Sequence, residues 1–202
     1  MGRTSNAKEK LLDVAFTLLW ENSYNAVSID QICQRAGVNK GSFYYFFKTK
    51  ADLAVEAYET HWKLNQPQLD QLFSPQVAPL ERLSQWCAHL YKAQKEKHGK
   101  TGCVGGCPYA SVGTEIATQD EKIRGKVHEL ISRNLKYIES AIAEAKRSGE
   151  ANIPCPKSAA EHVYSLVLGT LLQAKVCNDV ELLKDLQPSI MALVGAKSAL
   201  NQ

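Results

Sequence analysis

The sequence predicts an all-α fold of about nine helices, and two observations carry this prediction. Apolar residues recur at spacings of three and four along most of the 202-residue chain, whereas the strict alternation of a half-buried strand is nearly absent. Pairs of residues that satisfy the first N–H groups of a helix also recur, such as Ser28 with Gln31. We expect an N-terminal three-helix domain over residues 1–50 and a second helical domain over residues 51–202.

Capping residues, glycines and prolines predict where the helices begin and end. Gly37 is expected to end the second helix, because glycine tolerates the left-handed backbone conformation that follows a helix. Pro67 is expected to end the fourth helix, and a glycine-rich loop over residues 98–106 follows the fifth. The predicted starts lie near Asn6, Ser28, Asn39, Thr49, Pro79, Pro108, Thr118, Ser158 and Asn178.

The composition excludes several classes of protein. With 45% hydrophobic and 22% charged residues, the chain resembles an ordinary globular protein. It has no apolar run of about 18 residues and no signal-like N-terminus, so we expect a cytoplasmic protein with reduced cysteines and no membrane partner. No phosphate loop, Ser/His/Asp pattern or paired-carboxylate motif is present. We therefore expect no enzyme, metal or cofactor, and keep a small helical enzyme with a Cys/His pair as a distant alternative.

The net charge of +3 is confined to the first quarter of the chain. Residues 1–50 carry seven basic and four acidic groups, and the remaining residues carry equal numbers of each sign. The segment 28–47 within this basic quarter has the layout of a helix-turn-helix, with two short helices joined at Gly37. Its second helix offers side chains of the kind that contact phosphates and base edges. Many αα-hairpins share this layout, so the pattern alone is a moderate signal.

The segment AGVNKGSFYYFFKTKADL, residues 36–53, closely resembles the DNA-binding motif of the TetR family of transcriptional regulators. The resemblance extends over about residues 6–55. The departures are mild: Asn39 replaces the usual Ser, Ser42 a Thr, Phe43 a Leu, and Phe46 a His. The resemblance implies a repressor that binds a double-stranded, palindromic DNA operator and releases it when a small organic effector binds.

The same resemblance implies roles for individual residues. Ser28 would contact a phosphate through its backbone N–H, Gly41 would allow close approach to DNA, and Arg3 would belong to a flexible arm. Tyr44 and Lys50 would hold the DNA backbone, with packing inside the small domain as the alternative for Tyr44. The residues expected to face the major groove are Asn39, Lys40, Ser42 and Tyr45.

The second domain is expected to bind the effector and a second copy of the chain. The helix over residues 163–176 is apolar on nearly every face, which requires cover on both sides. We expect a two-fold four-helix dimer contact through Val163, Val167, Leu171, Leu186, Ile190 and Leu193, with a central core helix as the alternative. The candidate effector-binding residues are Trp62, Trp86, His89, Leu90, Cys107, Tyr109, Tyr137, Tyr164 and Gln173.

The stretch Gly102–Ser111 contains Cys103 and Cys107 and has three interpretations. The first is a tight loop followed by a helix start, with Cys107 a small buried residue. The second is a thiol sensor, because a helix N-terminus lowers the pKa of a cysteine, which gives a redox-responsive repressor as the alternative function. The third is a metal site formed by His98, Cys103 and Cys107, with Cys87 or Cys155 as an optional further ligand, for which the spacing of Cys103 and Cys107 is a weak signal.

Overall fold

The computed structural model describes the backbone of residues 2–196 and the side chains of residues 6–196. Its described part contains nine α-helices, one 3-10 helix and no strand, which confirms the all-α prediction. The helices are α1 (Gly2–Glu21), α2 (Ile29–Ala36), α3 (Lys40–Phe46), α4 (Lys50–Leu72), α5 (Pro79–Thr101), α6 (Pro108–Ile116), α7 (Glu121–Arg147), α8 (Pro156–Cys177), the 3-10 helix (Val180–Asp185) and α9 (Leu186–Leu193).

The chain forms two compact units whose division differs from the expected domains at residue 50. The first unit contains residues 1–67 and 108–131, and the second contains residues 68–107 and 132–202. The helices α6 and the start of α7 therefore belong with the N-terminal helices. The reason is packing, since α6 contacts α1, and a Cβ added at Gly113 of α6 would lie 3.0 Å from the Val127 side chain of α7.

The first unit is built around the mutual packing of α1, α2 and α3. Ile32 and Phe43, one from each of the two short helices, have no solvent exposure. Ser28 and Gln31 form the predicted capping box at the start of α2. Gly37 ends α2 with a φ of 64°, which only glycine adopts readily. These short-range signals fix the helix-turn-helix as the sequence predicts.

Several predicted helix boundaries are wrong. The helix α1 begins at Gly2 instead of near Asn6, so Arg3 lies in helical backbone and its side chain lies outside the described residues. The helix α4 continues through Pro67 to Leu72. Beyond the proline, Phe73 packs against the rings of Trp86 and Tyr137, at centroid distances of 6.0 and 5.4 Å. This packing outweighs the lost backbone hydrogen bond.

The caps predicted for the last helices are also displaced. The cap at the start of α7 is Asp120, whose carboxylate accepts the Ile123 N–H at 3.0 Å, and not Thr118. The helix α8 begins at Pro156 after Cys155, upstream of Ser158. Asn178 ends α8 in the left-handed conformation, and the following Asp179 caps the 3-10 helix.

In the second unit, the 3-10 helix and α9 pack against both α5 and α8. One side of α8 lies in the core of this unit, including Val163, Val167 and Leu171, each at most 4% exposed. Leu186 and Ile190 are also buried, and Leu193 is half-buried. Five of the six residues predicted for the dimer interface thus pack inside their own unit, and Leu193 is half-buried, so the interface itself stays a prediction.

Candidate nucleic-acid interface

The exposed face of α3 carries the side chains that can contact DNA. Tyr44 and Tyr45 are 56% and 75% exposed, and their rings meet Phe43 and Phe46, respectively, edge-on. Lys40 is exposed and its ammonium lies 2.6 Å from the exposed carboxylate of Asp30. A solvent-exposed pair of this kind contributes at most about 1 kcal/mol, so a phosphate can replace the carboxylate at little cost.

Asn39 holds the start of α3. Its side-chain Oδ1 accepts the Ser42 N–H at 2.7 Å, so the residue that replaces the family's usual Ser acts as the N-cap of the helix. This bond uses the oxygen of the Asn39 amide, and the NH₂ of the same amide is a donor of the kind that reads a base edge. A Cβ at Gly41 would lie 3.3 Å from Asn39 Oδ1. Glycine at this position therefore leaves room for the cap oxygen, and it also leaves the surface of α3 open to close approach. Ser42 itself is half-buried.

Ser28 cannot contact a phosphate in the predicted way without rearrangement. Its backbone N–H donates to Gln31 Oε1 at 2.7 Å, and its hydroxyl accepts the Gln31 N–H at 3.2 Å. The capping box has thus used the N–H that the resemblance assigned to DNA.

Lys50 faces the protein and not the exposed surface. Its Nζ donates to the carbonyl oxygens of Tyr24 and Val27, at 2.7 and 2.9 Å, and lies 4.1 Å from the centre of the Tyr24 ring. Burial lowers the pKa of Lys50, an effect that the nearby Glu115 carboxylate partly offsets. In this structure Lys50 supports the turn between α1 and α2, and its predicted role as a DNA backbone contact stays a prediction.

Glu115 of α6 completes the same turn, and sequence reasoning missed it. Its two carboxylate oxygens accept the N–H groups of Tyr24 and Asn25 at 2.6 and 2.8 Å. Burial, together with the carboxylates of Asp120, Asp52 and Glu115, raises the pKa of the Tyr24 phenol to about 12. No local signal predicts this contact, because Tyr24 and Glu115 lie 91 positions apart in the chain.

A short helix pair whose second helix exposes amide, hydroxyl, lysine and tyrosine groups has the layout of a helix-turn-helix DNA-binding protein. Residues 11–57 match the family model of bacterial regulatory proteins of the TetR family, and residues 79–189 match the model of the tetracyclin repressor-like C-terminal domain. The chain belongs to the TetR family, as its motif predicted. It is a DNA-binding transcriptional regulator, in a family of regulators and not of enzymes.

Relatives of similar length share this description. An HTH-type transcriptional regulator in the lacX 3′ region of Lactococcus lactis is 28% identical over 197 residues, which cover 95% of this chain and 96% of the relative. The HTH-type transcriptional repressor NemR of Escherichia coli K12 is 23% identical over 195 residues, or 89% of each chain. The crystal structure of E. coli NemR in its reduced form has the same fold, with a TM-score of 0.81 over 96% of this chain and 99% of that one, at 21% identity.

Two of the predicted effector-binding residues lie in the first unit. Trp62 and Tyr109 are buried there. The Tyr109 hydroxyl lies 3.3 Å from Nδ1 of His61, whose ring stacks on Phe16 with a centroid distance of 3.7 Å. Burial lowers the pKa of His61 to about 4, so this imidazole is neutral at physiological pH. Sequence reasoning missed His61, because a single histidine on a helix carries no pattern.

The other predicted effector-binding residues lie in the second unit. Trp86 and Tyr164 are buried, whereas Leu90 is half-buried. The Tyr137 hydroxyl donates to Asp70, and the His89 imidazole lies 3.2 Å from the side-chain amide of Gln68. Gln173 does not face the interior as predicted, because it lies on the exposed side of α8.

The cysteine-containing loop after α5 is held by two side-chain amides. Gln94 donates to the Gly106 carbonyl and accepts the Gly106 N–H, at 3.2 and 3.0 Å. Asn178 in the same way accepts the Val104 N–H at 2.9 Å and donates to the Gly102 carbonyl at 3.0 Å.

Within this loop, Cys103 is exposed and Cys107 is half-buried. Across residues 6–196, no group of three or more His, Cys, Asp or Glu side chains is placed to hold a metal ion. No helix in the described part of the chain is long and apolar enough to cross a membrane.

Proposed function

We propose that this regulator is a cytoplasmic, homodimeric repressor that binds a palindromic operator and is released by a small organic effector. The observation that carries the DNA-binding part is the face of α3, where Lys40, Tyr44 and Tyr45 are exposed on a helix fixed at both ends. Rigid presentation matters, because base contacts require side chains that do not first have to be ordered. The names of relatives support repression, since NemR is described as a repressor.

The dimer proposal rests on the outer face of α8, and not on the buried residues that the sequence indicated. Leu172 and Val176 are 61% and 77% exposed, and Gly169 and Gln173 lie beside them at spacings of three and four. An apolar helix face of this kind is stable in water when another surface covers it. A second copy of α8 provides such a surface, with the same residues on both sides of a two-fold axis.

Selection of bound DNA from a random library tests the operator. We expect the purified protein to enrich one short half-site in two inverted copies, because a two-fold dimer presents two identical α3 helices. The Tyr45→Ala variant serves as the matched control, since the exposed Tyr45 side chain contributes little to folding. Recovery of the same sequences by both proteins, or of no preferred sequence by the unmodified protein, would contradict the proposal.

The effector proposal rests on the aromatic cluster of the second unit. Phe73 packs against the rings of both Trp86 and Tyr137, and the Tyr137 hydroxyl donates to Asp70, which adds a polar group to this aromatic cluster. Largely apolar sites with a few placed polar groups suit small organic molecules. A compound that releases the selected DNA should also change the fluorescence of Trp86. That change should disappear in Trp86→Phe, and its persistence there would place the effector elsewhere.

A second candidate function is release of DNA on oxidation of Cys103 or Cys107. Burial raises the pKa of Cys33, and that of Cys87 to about 12, so these two thiols are poor nucleophiles. Cys103 is exposed, and Cys107 directly precedes α6. The solved structure of the relative NemR is described as the reduced form, and this description supports a redox response as the second candidate for this chain.

The chemistry of this second candidate can be tested with hydrogen peroxide. A thiolate would attack one peroxide oxygen, the O–O bond would break, and hydroxide would depart, which converts the thiolate to a sulfenic acid. A second thiolate could then attack the sulfenic sulfur, break its S–O bond and release hydroxide to form a disulfide. We expect mass spectrometry after mild peroxide to find an adduct or disulfide at Cys103 or Cys107, with loss of DNA binding. Finding neither modification would remove the candidate, with Cys103→Ser and Cys107→Ser as controls.

A further inference from the structure

The turn between α1 and α2 is held from two sides by charged groups. On one side, Glu115 accepts the N–H groups of Tyr24 and Asn25. On the other side, the Lys50 ammonium donates to the carbonyl oxygens of Tyr24 and Val27. Hydrogen bonds to charged partners are stronger than neutral ones. The turn is thus fixed by four charge-assisted hydrogen bonds, two to an anion and two to a cation.

The position of this turn determines where α2 begins. Val27 is buried and directly precedes Ser28, the cap of α2. The helix α2 packs on α1 and on α3, which carries the DNA-facing side chains. Because buried side chains pack without spare volume, a displaced turn displaces α2, and α3 with it.

Glu115 is itself held in place by the surrounding helices. It lies on α6, outside the residues 11–57 that match the N-terminal family model. The helix α6 packs on α1, and the following helix is joined to α4 by two ion pairs. These pairs are Lys122 with Asp52 at 2.6 Å and Lys126 with Glu59 at 3.1 Å. The carboxylate of Glu115 therefore belongs to a braced segment and can resist movement of the turn.

We propose that Glu115 is a positioning residue for DNA binding, because its carboxylate holds the turn that sets the start of α2. Glu115 touches no DNA in this account and acts through Tyr24 and Asn25. The affinity for the operator then depends on a residue of α6. This proposal rests on the proposed DNA-binding function, since affinity for DNA is one of its two readouts.

The test compares Glu115→Ala and Glu115→Gln with the unmodified protein on the duplex enriched from the random library. We expect the alanine variant to bind about tenfold more weakly, or about 1.4 kcal/mol, and the glutamine variant to lie between, because its amide keeps one acceptor oxygen. The salt dependence should stay unchanged, since no phosphate contact is lost. Loss of a negative charge by itself would strengthen binding to DNA. Weaker binding by the Glu115 variants would therefore indicate a positioning role and not an effect of net charge.

Hydrogen exchange of the Tyr24 and Asn25 amides is the second readout. We expect faster exchange at these two positions in Glu115→Ala, and no change in Glu121→Gln, the control that removes an exposed carboxylate from the start of α7. Unchanged exchange, or unchanged or tighter DNA binding by both Glu115 variants, would overturn the proposal. If Glu115→Ala does not fold, the DNA affinity and the amide exchange of Glu115→Gln test the proposal. Absence of DNA binding by the unmodified protein would refute the proposed function, whereas the exchange measurement would still test the turn.

Discussion

At the scale of single residues, Tyr45 and Lys50 show how differently two neighbouring polar side chains are used. Tyr45 is 75% exposed and available to a ligand. The Lys50 ammonium, in contrast, is occupied by two carbonyl oxygens and the face of the Tyr24 ring. A basic residue near a DNA-binding helix is therefore not automatically a phosphate contact, and its free hydrogen-bonding capacity has to be counted.

Replacement of Lys50 by Met should weaken DNA binding without changing its salt dependence. The variant leaves two partly buried carbonyl oxygens without their donor, which should also lower the free energy of unfolding by about 1–3 kcal/mol. Binding titrations over a range of salt concentrations measure the slope. If Lys50 instead neutralised a phosphate, the slope would fall by about one unit, with the exposed Lys48→Met as the reference for a surface charge.

His61 should make the folded protein less stable in mild acid. Burial lowers the pKa of His61 to about 4, whereas in the unfolded chain its pKa is about 6.5. Below about pH 6.5 the imidazole is protonated in the unfolded chain but stays neutral in the folded state. The free energy of unfolding therefore decreases as the pH falls, until the pKa of the folded state is reached. The contribution is about 2 kcal/mol at about pH 5.

The variant His61→Phe keeps an aromatic ring beside Phe16 and removes the titrating group. Urea unfolding at neutral pH and near pH 5 should show a smaller loss of stability in His61→Phe than in the unmodified protein. The exposed His128→Gln provides the comparison. Equal losses in all three proteins would show that His61 is not the group that titrates.

At the scale of elements, α5 and α7 are joined inside the second unit by an ion pair. Arg82 is 2% exposed, and its guanidinium donates to Glu144 at 2.6 Å and to the Val77 carbonyl at 2.7 Å. A buried guanidinium that loses its carboxylate partner is costly, because the remaining charge has neither water nor a counter-ion. The pair therefore fixes how these two helices meet.

Glu144→Gln should destabilise the protein at neutral pH and much less in acid. The hydrogen bond from Arg82, aided by its charge, lowers the pKa of Glu144. A lowered carboxyl pKa contributes stability above the ordinary value of about 4.3, which disappears as the pH falls through the folded value. Thermal unfolding across this pH range should show that the melting temperatures of Glu144→Gln and of the unmodified protein approach each other as the pH falls. A constant difference would contradict the assignment, and Glu161→Gln controls for loss of an exposed charge.

The sequence predicts the short-range features of this fold and misses the long-range ones. The capping boxes at Ser28 and Thr49 and the left-handed Gly37 depend on residues at most four apart, and all are present. Glu115 was missed because its partners lie 91 and 90 positions away. The sequence could not tell the buried side of α8 from its exposed side, because a helix that is apolar all round offers no period that distinguishes the two.

At the scale of the whole molecule, two features of the chain bear on assembly. The positive charge lies in the first quarter, and the exposed apolar face lies on α8 near the other end. A dimer through α8 would carry two such basic segments, which doubles the charge available to phosphates. Dimerisation and DNA binding are therefore expected to fail together.

Val176→Glu should yield monomers that bind the operator weakly. Two facing glutamates on the axis of a dimer would repel each other and would also place charge in an apolar contact. Leu64→Glu is a closely matched control, because Leu64 is 75% exposed and Val176 is 77% exposed. Sedimentation should give the dimer mass for the control and the single-chain mass for Val176→Glu. A dimer mass for both variants would exclude the outer face of α8 as the dimer interface.

The side-chain amides of Gln94 and Asn178 restrict how far the cysteine-containing loop after α5 can move. Gln94 belongs to α5, and Asn178 ends α8, so the loop between residues 102 and 107 is tied to both helices. Glycine-rich loops usually absorb a local change by bending, but this one has its backbone groups pinned at Gly102, Val104 and Gly106. The loop therefore cannot change its conformation without breaking these hydrogen bonds or moving α5 and α8. A bulky adduct at Cys103 would displace the two helices directly.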